Sequence, residues 1–106
     1  MTDFHATPDH SIKLFISDMK ITRLAFLNRF TDAEAVAIDL ASIGAIPEAA
    51  LMRRFMSKVN AAQFIDLARD DTIAGVNAME QAGLIGIGRA SEILGPPISE
   101  IERWKE

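Results

Sequence analysis

The sequence predicts a mainly α-helical compact domain of about five short helices, preceded by an N-terminal extended arm or short strand. Three observations carry this reading. Apolar residues recur three or four positions apart in separate segments, the spacing that lines up side chains on one face of a 3.6-residue helix. Thr31 and Glu34 stand in the T-x-x-E pattern of a capping box, a strong helix-start signal. Glycine and proline punctuate the chain where helices should end or begin, at Gly44 and Pro47, at Gly83, and at Gly95-Pro96-Pro97. A chain of 106 residues fits one domain. Residues 1–18 read as tail and arm, and residues 19–106 as the single helical domain.

Taken in order, residues 1–10 form a polar tail. In residues 11–17, SIKLFIS, Ile12, Leu14 and Ile16 alternate with Lys13, Phe15 and Ser17, a period of two that argues for an extended strand. A lone strand needs a partner for its edge, either residues 63–67 or another copy of the chain. Thr22 suits the cap of a short helix carrying Leu24, Phe26, Leu27 and Phe30. The helix over residues 32–43, opened by Thr31 and Glu34, is expected to bury Val36, Leu40 and Ile43, flanked by Ala33, Ala37 and Ala41, and to stop at Gly44. Pro47 then fits the first turn of a helix whose buried face is Leu51, Met52, Phe55, Met56 and Val59, opposite Arg53, Arg54 and Lys58. Asp71 or Thr72 is expected to cap a helix with Ile73, Val76 and Met79, ended by a left-handed Gly83. A last helix over residues 88–94 buries Ala90, Ile93 and Leu94 before Gly95-Pro96-Pro97 halts it. Because much of the 49% apolar content is alanine, the core leans on Phe15, Phe26, Phe30, Phe55 and Phe64 and on close helix approach.

Composition narrows the chemistry. The chain has no cysteine, hence no disulfide framework, no thiol nucleophile and no cysteine zinc site. No stretch has the ~18 apolar residues of a membrane span, and the N-terminus lacks a basic start followed by an apolar run, so the expectation is an intracellular protein without membrane contact. A net charge of −4 weighs against nucleic-acid binding by the chain as a whole, since phosphate contacts need clustered Lys and Arg.

Candidate motifs mostly reduce to structural roles. His5 and His10, with Asp3 and Asp9, lack the i, i+4 helical spacing that fixes two metal ligands on one face. Asp66, Asp70 and Asp71 are read as helix-start carboxylates rather than a cation site. Gly83, Gly86 and Gly88 have G-x-x-G-x-G spacing after a helix, whereas a dinucleotide fingerprint needs G-x-G-x-x-G after a strand. None of Ser42, Ser57, Ser91 and Ser99 sits in a G-x-S-x-G context. No catalytic residue, cofactor or metal ligand is therefore assigned, and the chain is expected not to be an enzyme. The C-terminal stretch GRASEILGPPISEIERWKE offers the alternative of a small helix-turn-helix DNA-binding regulator, with residues 89–94 as first helix and residues 99–105 as reader. Glu100, Glu102 and Glu106 on that reader oppose DNA. Trp104 is read as a hydrophobic anchor onto the core or a neighbouring subunit. With Ile12, Leu14 and Ile16 it makes up the expected interface set, the arm serving homo-oligomerisation by strand exchange.

From Met19 onward the chain resembles a group of small tailed-bacteriophage proteins encoded among tail genes. The likeness lies in MKITRLAFLNRFTDAEAVAIDLAS, in NAAQFIDLARDDTIAGVNAMEQAGLI and in GRASEIL, about four-fifths of the chain. Residues 1–18 precede the Met-Lys at which relatives begin. The resemblance implies a noncatalytic structural or assembly role, with other phage virion proteins as partners, in the host cytoplasm during assembly or in the virion; it brings no catalytic or binding residues.

Overall fold

In the computed structural model, residues 19–105 are described. Five α-helices and two short strands follow in the order β1 (Lys20–Ile21), α1 (Arg23–Asn28), α2 (Asp32–Ala41), α3 (Pro47–Ala61), β2 (Ile65–Asp66), α4 (Asp70–Gln81) and α5 (Arg89–Leu94). The mainly helical expectation holds. The expected arm residues Ile12, Leu14 and Ile16, and Phe15 beside them, lie outside the described residues.

Several helix boundaries follow the predicted chemistry. Thr22 caps α1, its hydroxyl accepting from the Ala25 amide at 3.0 Å. Thr31 and Glu34 form the full capping box: the Thr31 amide donates to Glu34 Oε1 at 2.8 Å and the Glu34 amide to Thr31 Oγ1 at 3.1 Å. Pro47 opens α3 in the first turn, where its missing amide costs nothing. Gly83 takes a left-handed φ of 78°, and beyond it the Leu84 amide reaches back to Met79 O at 2.9 Å while the Gly83 amide bonds Glu80 O at 3.0 Å. That pair of bonds is a Schellman closure, which needs a residue tolerant of positive φ.

α4 starts earlier than expected. Arg69 is the N-cap residue, without a side-chain cap bond, and Asp70 and Asp71 lie in the first turn. Thr72 is buried instead of capping. The two carboxylates still favour the positive end of the helix, and Asp71 also pairs with Arg69 at 2.8 Å.

β2 falls inside the segment expected to be a strand, but its described partner is β1, antiparallel, with Lys20 opposite Asp66 and Ile21 opposite Ile65. Both isoleucines are buried and both polar residues half-buried, as the two-residue side-chain period requires. On β1's other side the C-terminal segment docks. Ile21 bridges to Arg103, the Thr22 amide donates to Glu102 O at 2.8 Å, and the Trp104 amide donates to Lys20 O at 3.1 Å. β1 is thus central, flanked by segments from distant parts of the chain.

Residues 99–105 are therefore not a reader helix. They form a turn and then the strand-like bridge to β1, and the cis Pro96–Pro97 bond lies just before that turn. The helix-turn-helix expectation has no second helix at the position it requires.

Phe26, Ile21, Leu67, Met79, Ile93 and Val76 fill the centre of the core. Phe30 meets Phe26 edge-on at 5.4 Å between centroids, an arrangement favoured by the ring quadrupoles. Phe55 and Phe64 are half-buried at the edge of this core rather than within it. Phe55 lies so close to Gly75 of α4 that a Cβ there would come within 2.2 Å of its ring. Gly75 leaves the room that the Phe55 ring occupies on α4.

Candidate interaction surface

The face that α2 turns outward is set by charge. Glu34, one turn into the helix, receives Arg89 from α5 in a two-pronged pair, Nε to Oε2 at 2.7 Å and Nη2 to Oε1 at 2.8 Å. Arg89 also donates through Nη1 to Glu92 Oε1 at 2.8 Å and through Nη2 to Arg29 O at 2.9 Å. The paired guanidinium holds the Glu34 carboxyl down at about 2, with the Thr31 amide helping; the same pair raises Arg89 further above its already high range. Because Glu34 must face inward, so must the residues sharing its side of the helix, Ala37, Ile38 and Ala41. Ile38 is 3% exposed.

Val36, Leu40 and Ile43 sit on the opposite side at i, i+4 and i+7. The expectation that this stripe is buried is overturned: Val36 is 56% exposed, Leu40 65% and Ile43 71%. Bulk alone would have turned these larger side chains inward. The capping box and the Arg89 pair fix the rotation of the helix the other way, and small Ala37 and Ala41 suit the packed side. Ile46, beyond the Gly44 turn, is exposed as well. Arg53 from α3 secures this end of α2, its Nη1 donating to Ser42 O at 2.7 Å and to Gly44 O at 2.5 Å, where a cation also suits the negative end of the helix dipole. Leu51, expected in the buried face of α3, is 67% exposed; Ala49, Met52 and Val59 are the buried residues of that helix.

A second charged cluster ties α1 to the segment that follows α5. Arg29 bonds Glu102 through Nε at 2.9 Å and Nη2 at 3.1 Å, and its Nη1 donates to Ile93 O and Gly95 O, both at 2.8 Å. The guanidinium so occupied closes the C-terminus of α5 and lowers the Glu102 carboxyl below its usual range, with the Ser99 amide helping. Every buried side-chain donor and acceptor among the described residues has a partner. Such saturation is what a structural clasp requires.

Trp104 is half-buried against Phe64, with ring centroids 4.5 Å apart, and Lys20 Nζ lies 4.9 Å from the Phe64 ring centre. The three side chains come from the three adjacent strand segments and make a cross-strand stack. Trp104 thus anchors onto its own chain's sheet. An open groove of about 390 Å³ runs between the end of α3 and the start of α4, with Phe55, Val59, Phe64, Lys58 and Arg69 on its walls. Among the described residues, no group of three or more His, Asp or Glu is placed to hold a metal, and no helix is long and apolar enough to cross a membrane.

The fold and surface together define a small helical domain with a saturated polar clasp and an exposed aliphatic face. No protein-family model, curated protein or solved structure matches this chain. Of the expected interface set, only Trp104 falls among the described residues. The α2 stripe is visible in the sequence as an apolar pattern, and the structure turns it to water rather than to the core.

Proposed function

We propose that this chain is a noncatalytic structural or assembly protein of a bacteriophage tail, acting by protein–protein contacts in the host cytoplasm during assembly or in the particle itself. The exposed aliphatic stripe of α2 is the observation that carries the contact role. Three large apolar side chains held outward on a helix whose rotation is locked from behind are costly in water and gain by being covered. The phage-tail setting rests on the sequence resemblance from Met19 onward. Support for a noncatalytic role comes from the satisfied polar clusters, whose charged groups hold segments of the chain to one another.

Locating the protein by mass spectrometry in purified particles and in tail-assembly intermediates tests this reading. The expected result is co-purification with virion proteins, lost on Leu40→Glu while helical content is unchanged. A protein found in neither fraction, and instead retained on DNA in a salt-sensitive manner, would replace this reading with the regulator.

A further inference from the structure

We infer that the exposed face of α2 is covered by a second copy of this chain, presenting the outer edge of its α3. This inference rests on the contact role proposed above and names its partner. Beside Val36, Leu40 and Ile43, the outward side of α2 carries Asp32 and Asp39, both exposed. On α3, Leu51 shares its edge with Arg54 and Lys58, also exposed. No ion pair among the described residues engages any of these four charges. One helix face is therefore apolar and acidic, the other apolar and, with Arg54 and Lys58 against exposed Glu48 one turn before Leu51, net basic.

Their spacing matches in antiparallel register. From Asp32 to Leu40 is about 12 Å along a helix, and from Lys58 to Leu51 about 10.5 Å. Setting Asp32 against Lys58 brings Leu40 onto Leu51, with Asp39 within reach of the long Arg54 side chain. Two α2 helices packed on each other in antiparallel two-fold fashion would instead place acidic flank against acidic flank. The two faces also point apart within one chain. Arg53 reaches back to the end of α2, and Leu51, two residues earlier, lies about 200° around the helix from it. One chain cannot cover its own α2 this way, so the contact is heterologous, face to a different face, and propagates into a ring or a row.

Light scattering on purified full-length protein tests this. Wild type should rise above the 11.6 kDa of one chain as concentration increases. Leu40→Glu should weaken association at least about tenfold, and so should Arg54→Glu/Lys58→Glu. All these positions are exposed, so circular dichroism and thermal midpoint should stay near wild type. Mixing the two variants is decisive. Each retains the face the other lacks, so a species of two chains should form and stop there. Wild type that stays monomeric at every concentration, or variants that fail to pair, would overturn the inference. If wild type is monomeric and Leu40→Glu still removes the protein from complexes with virion proteins, self-association falls and the contact role stands. A Leu40→Glu variant neutral in both measurements sinks both.

Discussion

At the scale of single residues, Glu34 carries two duties with one carboxylate, and pH separates them. Its folded-state value of about 2 lies below the ordinary 4.5. A carboxyl depressed in this way contributes stability that is complete above the unfolded-state value and is lost as pH falls through the folded one. Stability should therefore drop between about pH 4.5 and pH 2, with Glu102 adding to the slope in the same direction. Glu34→Gln keeps an oxygen for the Thr31 amide but loses the charge facing Arg89. It should cost roughly 1–3 kcal/mol near neutral pH, the scale of a charge-assisted hydrogen bond, and flatten the acid dependence. Urea midpoints measured across pH check both; an unaltered acid slope would show that Glu34 is not the group responsible. Thr31→Ala removes only the cap and should cost about 1 kcal/mol with the denaturant slope unchanged.

Between elements, α3 and α4 meet where the Phe55 ring lies against Gly75. Glycine inside a helix usually costs about 1 kcal/mol relative to alanine, so Gly75→Ala on an open helix would stabilise. Here the new methyl would run into the Phe55 ring, and the expected sign reverses to a loss of about 1–3 kcal/mol from overpacking. Phe55→Ala removes that ring. Combined with it, Gly75→Ala should no longer destabilise, so the double variant should be more stable than the sum of the single losses implies. Additive losses would mean the ring moves aside freely and the contact does not position α4. Sequence patterning placed Phe55 on the correct face of α3 but could not show Gly75 as its partner, because i, i+3 and i+4 spacing describes one helix at a time.

Over the whole molecule, contacts far apart in sequence decide which segments fold together. β1 takes partners from residues 65–66 and from residues 102–104, while Arg29 joins α1 to the end of α5 and to Glu102. The C-terminus is thus sewn to the first described strand. Trp104 is the chain's one tryptophan, so its fluorescence reports this seam while far-ultraviolet circular dichroism reports the helices. The two denaturation curves should coincide, as for a single cooperative unit. An earlier fluorescence transition would mean that the C-terminal segment detaches before the helices melt. Arg29→Met should lower both curves together by about 3–5 kcal/mol, since it leaves the Glu102 carboxylate without its cation, held only by Ser99, and the last carbonyls of α5 without their donor.

The sequence by itself determined the helical class, the capping box at Thr31 and Glu34, the Pro47 start and the left-handed Gly83 stop. These depend on bonds that close within a few residues, and the residue types that make them are legible in place. It also marked Val36, Leu40 and Ile43 as a coherent apolar stripe. Tertiary structure alone decided that this stripe faces water, because the rotation of α2 is set by Arg89, 55 residues away from Glu34. Tertiary structure likewise turned the expected reader helix into a strand-like segment. The backbone groups of Glu102 and Trp104 found β1, and Arg29 found Glu102, 73 residues away. A local pattern states which side chains share a face; which face is buried follows from partners that no window of the chain contains.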